Sequence, residues 1–176
     1  PNSSLVLARS VFVGSSAFKT LSLKATRGTF RWISGKSGSA AYKISTPFGT
    51  LGIRGTAVDF YIGAGAASVI ILEGRAVFCG NNGVCKPLTR GCDMVTANRN
   101  GVLGESKKPA KTAVEGVRND VSFPFLVGSR KLSRPFRVGG GKCGLSGSVR
   151  AIEKKKGGDG PGNSDPNGGG PDPGPT

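Results

Sequence analysis

The chain has 176 residues, 30 of them glycine, and sets 25 Lys and Arg against 10 Asp and Glu, a formal charge of +15 with no histidine. The missing imidazole removes the usual general base and metal ligand, and so few carboxylates make a hydrolase a poor fit, so no catalytic residue is expected. No apolar run approaches the roughly 20 residues that cross a bilayer as a helix, and the basic balance favours polyanions such as nucleic acid, lipid head groups or acidic polysaccharide without choosing among them.

Leu5–Leu7 and Val11–Val13 predict two short strands with a turn at Gly14-Ser15-Ser16. From Phe18 to Ala25 the sequence alternates, with Leu21, Leu23 and Ala25 on one face. A turn at Arg27-Gly28 is expected to start another strand carrying Phe30 and Trp32 on one face, ending near Ser34, with a loop over 36–40. Tyr42, Ile44 and Thr46 follow, then Leu51 and Ile53 on either side of Gly52.

Next, Val58, Phe60 and Ile62 share a face opposite Asp59 and Tyr61, and 69–72 and 75–78 supply β-branched and apolar runs separated by Glu73-Gly74. Pro47 belongs at a strand start or edge and biases Thr46 to an extended conformation, while Gly52 and Gly55 are expected to bend the chain or admit a second backbone. An Asp59 and Glu73 acid–base pair is conceivable, but an ion pair of either with Arg54 or Arg75, fixing strand register, is the better expectation. Arg54, held between Gly52 and Gly55, is otherwise a fork for a partner's carboxylate or phosphate.

Cys79 and Cys85 lie on either side of an Asn-Gly turn, a hairpin signal that lets them face one another. Cys92 and Cys143 are then available for a second bridge, although four cysteines permit three connectivities. Their spacing is unlike the paired cysteines of structural zinc sites, and the Gly49–Gly55 run lacks the Lys-Ser/Thr end of a phosphate loop. Neither a metal nor another cofactor is expected.

Residues 98–115 read as a linker, 117–127 as at most an edge strand interrupted by Pro124, and 145–152 as a short strand. Lys107, Lys108, Lys111, Arg130, Lys131, Arg134 and Arg137 form a basic segment, the second candidate surface for a polyanion. Residues 157–176 hold no apolar side chain larger than proline and are expected to be disordered.

The block from Thr46 and Pro47 through Gly52, Arg54, Gly55 and Thr56, reading T-P-x-x-x-x-G-x-R-G-T, is followed by Glu73-Gly74 opening a further strand. With Pro1-Asn2-Ser3-Ser4-Leu5 and Gly28-Thr29-Phe30-Arg31 upstream, it resembles the FecR-like domain of bacterial envelope proteins. Members carry further strands before the Pro-Asn-Ser-Ser position, so the chain reads as starting partway into the domain. The resemblance implies an all-β, solenoid-like arrangement, an oxidising periplasmic or secreted location with the cysteines bridged, and a protein partner such as an envelope receptor or scaffold.

Short strands joined by close turns independently suggest a meandering sandwich or solenoid. The expected organisation is a β domain over 1–98, a basic extension over 99–156 partly packed on it, and the tail over 157–176. The expected function is non-catalytic macromolecular recognition in sensing or scaffolding, by the core or by addition of a partner's strand to a sheet edge.

Overall fold

The computed structural model describes residues 3–13, 17–34, 41–110, 112–138 and 143–145. Seven strands form one mixed sheet: β1 (Ser4–Val13), β2 (Ala17–Ile33), β3 (Ala41–Thr46), β4 (Gly49–Ile62), β5 (Ala66–Gly80), β6 (Cys85–Leu88) and β7 (Met94–Asn98). They pair in chain order from β1 to β6, β7 joins the free part of β5, and β2 also pairs with β4. The all-β class follows from the alternation in the sequence; the strands build a single open sheet rather than a sandwich or a stack of solenoid rungs.

The strands are also longer than the sequence suggested, because glycines bend them without ending them. Arg27-Gly28 is no turn. Gly28, at φ 117°, kinks one continuous strand, so that residues 20–24 of β2 pair parallel with β3 while 28–33 pair antiparallel with β4. Gly55 (φ 54°) and Gly74 (φ 80°) face each other where the β4–β5 register slips, and a Cβ on Gly74 would lie 2.3 Å from the Gly55 carbonyl oxygen. Only glycine fits there.

One face of the bent sheet is a continuous core. Leu21, Leu23, Ile44, Leu51, Ile53, Val58, Phe60, Val69, Phe78 and Val95 all contribute, as the period-two pattern requires. Phe30 stacks on Phe60 at 4.9 Å, and Trp32 tilts against Tyr42 at 5.1 Å, joining the second half of β2 to β3.

Among the described residues, the other, outer face is covered over one half only. Two single helical turns, α1 (Asn119–Ser122) and α2 (Pro124–Val127), replace the expected edge strand; Pro124 starts α2, where its fixed φ suits a first helical turn. Phe123, Leu126, Ala113, Val114 and Leu145 pack there on Ala57, Ile70, Leu72 and Met94. The segment expected as a linker instead folds back along β7 through bridges Ala97–Leu103 and Met94–Lys107. The anticipated strand beyond Leu145 and the tail lie outside the described residues.

Polar attachments fix this cap. Arg31, directly opposite Asp59 in the β2–β4 pairing, donates from Nε and Nη2 to the two Asp59 carboxylate oxygens, each at 2.6 Å, and from Nη1 to the Phe136 carbonyl at 2.9 Å. Its guanidinium also lies 5.6 Å from the Phe125 ring centre, and Thr29 Oγ1 donates to the Val121 carbonyl at 2.9 Å. A disulfide, Cys92–Cys143, ties the far end of the cap to the β5–β7 side, both cysteines taking left-handed φ values of 72° and 51°. The second disulfide, Cys79–Cys85, crosses directly between β5 and β6, with Cα atoms 3.9 Å apart.

Two predictions follow from these restraints. In denaturant unfolding, replacing Cys92 and Cys143 by serine is expected to remove about 4 kcal/mol, and replacing Cys79 and Cys85 about 2 kcal/mol, because the first bridge closes the longer loop (sequence separations 51 and 6). Arg31→Met is expected to remove about 3–5 kcal/mol by leaving a buried carboxyl without its counter-charge. Burial already pushes the Asp59 carboxyl above its ordinary 3.8, against the pull of Arg31. A group raised in the folded state gives stability that is lost as pH rises, so the variant's unfolding midpoint should fall progressively from pH 4 upward.

Candidate binding face

Below the Gly55–Gly74 bulge no described residue caps the outer face of the sheet. The residues that alternate with the core positions point outward here: Ser22 and Lys24 on β2, Lys43 and Ser45 on β3, Thr50, Gly52 and Arg54 on β4, Arg75 and Val77 on β5. Lys24, Lys43, Arg54 and Arg75 are all exposed. The pairings place Lys43 beside Gly52 and Ser22, Lys24 beside Ser45, and Arg54 directly opposite Arg75. The cations therefore run diagonally over four adjacent strands. No Asp or Glu stands among these outward residues; Glu73 lies at the bulge that bounds the face.

The expected partner of Arg54 is thus corrected for Asp59, whose carboxylate is held by Arg31. The side chains of that pair are 5% and 0% exposed. Asp59 has both oxygens engaged by one guanidinium and is sealed under the cap, an arrangement suited to fixing the β2–β4 pairing and unsuited to exchanging protons with a substrate. Glu73 is exposed and lines a cleft of about 360 Å³ with Ser34, Gly55, Thr56 and Arg137, which does not include Asp59.

The motif residues turn out to sit at the joints of the sheet. Thr46 closes the β3–β4 turn, its Oγ1 donating to the Gly49 carbonyl at 2.8 Å and accepting from the Phe48 amide at 3.2 Å, while the exposed Pro47 accepts from Asn81 at 2.8 Å. Thr56 is buried, its amide donating to Ser34 Oγ at 3.0 Å, and with Gly55 meets Glu73 and Gly74 across the bulge. Gly52 alone lacks such a role. It sits in mid-strand with an ordinary φ, and an added Cβ would meet only the Val77 carbonyl oxygen, at 3.8 Å.

The basic segment is spread over different local structures. Lys107 bridges β7 through its backbone, Lys108 is exposed beside it, and Lys111 lies outside the described residues. Arg130 and Lys131 belong to one 3₁₀ turn and Arg134 to the next, all three exposed. Arg137 turns back to donate to the Leu132 and Arg130 carbonyls at 2.7 and 3.0 Å, so its guanidinium holds its own loop. Among the described residues no group of three or more acidic or cysteine side chains is placed to hold a metal ion, and no helix is long and apolar enough to cross a membrane.

A second, wider groove runs between the cap and the sheet, lined by Thr26, Gly28, Phe48, Tyr61, Val121 and Phe125 among others. It is mainly apolar and holds one described acid, Asp120, which is already paired with Arg118.

No protein-family model matches this chain, and no curated protein matches it. Among solved structures it is similar to two crystal structures of candidate anti-sigma factors from Parabacteroides distasonis ATCC 8503. The first is 11% identical with a TM-score of 0.45, covering 51% of this chain and 42% of the other. The second is 10% identical with a TM-score of 0.43, covering 56% and 46%. The chain spans less than half the length of either.

Proposed function

We propose that this chain is a FecR-like recognition domain: a non-catalytic module of an oxidising, extracytoplasmic compartment that binds an acidic macromolecule and serves in sensing or scaffolding. The observation that carries this reading is the bare lower half of the outer face, where four cations from four adjacent strands meet solvent. Directly opposed like charges such as Arg54 and Arg75 destabilise a strand pair, so their pairing with each other does not help the sheet. An acidic partner would.

Other features support the same reading. The T-P, R-G-T and E-G residues of the motif occupy the turn and the bulge that shape this half of the sheet, as a shared domain architecture would require. Two disulfides suit a compartment outside the reducing cytosol. Addition of a partner's strand at β1 is the weaker mode. Leu5, Val6 and Leu7 are exposed there, but three register irregularities interrupt the strand, the device by which sheets blunt their edges.

Co-sedimentation with isolated bacterial envelopes tests the proposal. The triple reversal Lys43→Glu/Arg54→Glu/Arg75→Glu is expected to reduce the bound fraction about tenfold at moderate salt, whereas Lys107→Glu/Lys108→Glu/Arg130→Glu, with the same change of net charge, leaves it nearly unchanged. Equal losses from both reversals would reduce the effect to net charge and overturn the assignment to this face.

A further inference from the structure

Resting on that reading, we infer that the ligand of the bare face is a linear acidic polysaccharide, laid along the diagonal from Lys24 through Lys43 to Arg54 and Arg75. The geometry is that of a track. Neighbouring strands stand about 4.8 Å apart and alternate residues about 6.7 Å apart. Successive Cα positions in this stripe are therefore about 5–8 Å apart, and the whole runs for roughly 20 Å. A polymer with a charge on each repeat can meet every cation at once, whereas a single small anion meets one or two.

Gly52 supplies an independent sign of a ligand. It lies in the middle of the face, beside Lys43, and neither its φ nor its surroundings call for glycine. Glycine inside a strand weakens it by about 0.5–1 kcal/mol, and where neither a bulge nor a tight bend accounts for it, it is a residue that leaves room for close approach to the backbone. Gly55 and Gly74, by contrast, are required by the bulge. What Gly52 provides is exposed main chain beside Lys43, with no side chain to hold a sugar ring off it.

The remaining residues of the face separate the classes of polyanion. Among the described side chains of the face, from Ser22 and Lys24 to Arg75 and Val77, none is aromatic, so nucleobases find no stacking platform there. Two single aliphatics are exposed there, Val77 and, opposite Lys24 in the β1–β2 pairing, Val6, and neither is the large aromatic or apolar anchor that centres a protein interface. What lies between the cations is Ser22, Ser45 and Thr50, hydroxyls suited to the hydroxyl groups of a sugar chain.

The experiment is calorimetric titration of the whole chain with polygalacturonate, neutral dextran, polyglutamate and oligothymidylate at two salt concentrations. Polygalacturonate is expected to bind about tenfold more tightly than polyglutamate or oligothymidylate at matched charge, to weaken as salt rises, and to leave dextran unbound. Arg54→Ala/Arg75→Ala should weaken polygalacturonate about tenfold, and Gly52→Ala severalfold with a thermal midpoint unchanged or higher, which shows the fold intact. Lys107→Ala/Lys108→Ala should leave the affinity unchanged.

Polyglutamate or oligothymidylate binding as tightly as polygalacturonate, and still weakened by Arg54→Ala/Arg75→Ala, would overturn the polysaccharide while leaving the acidic-partner reading standing. Polygalacturonate binding indifferent to Arg54 and Arg75 would overturn the track itself. Failure of every anion to bind would overturn both.

Discussion

A carboxylate with no exposed surface, Asp59, sits opposite Arg31 across the β2–β4 pairing, and the guanidinium that neutralises it also reaches the Phe136 carbonyl and the Phe125 ring. Placing a charge pair in the interior is expensive by itself; it persists only where geometry is good and the remaining hydrogen-bonding positions are filled. Here two oxygens meet two N–H groups, and a third N–H is used on a backbone carbonyl. The carboxylate is thus satisfied within the sheet, while the third N–H is satisfied only when the segment carrying Phe136 is docked on it. That condition converts a weakly structured run of single turns into a fixed layer, and the Cys92–Cys143 bridge anchors its other end.

The division of the outer face follows. Above the bulge, Ala57, Ile70 and Leu72 need a cover and the helical turns provide it. Below the bulge the corresponding positions are Gly52, Arg54, Arg75 and Val77, which cannot form a second core. A single sheet therefore carries two different surfaces on one side, one built for packing and one for solvent or a charged partner. The slip between β4 and β5 at Gly55 and Gly74 is the boundary between them, and Gly55 also lines the cleft that Glu73 and Arg137 share.

Much of the sheet is legible from the sequence because burial on one face imposes a period of two, as in Leu21-Leu23-Ala25 and Val58-Phe60-Ile62. The joints are not. Gly28 looks like a turn, yet a single positive φ bends a strand and lets it change partners, and no local pattern tells a bend from an ending. Pro124 within an apolar run fits an edge strand or a first helical turn equally well, and the buried Ala57–Leu72 surface decides in favour of the turn. Arg31 was hidden as the partner of Asp59 because that pairing depends on the β2–β4 register, which joins residues 28 positions apart. The hairpin cysteines were the easier case: an Asn-Gly turn sets Cys79 against Cys85 locally, whereas Cys92 and Cys143 were one of three pairings until the cap was in place.

Amide hydrogen exchange on the wild type and on Arg31→Met tests most directly whether one buried pair holds the cap apart from the bare half of the sheet. The account predicts that protection of the Ser122, Phe123 and Leu126 amides, which are bonded within the helical turns, collapses in the variant. The amides of β3 and of β4 up to Ile53 should keep theirs. Equal loss of protection in both regions, or an undisturbed cap, would contradict it.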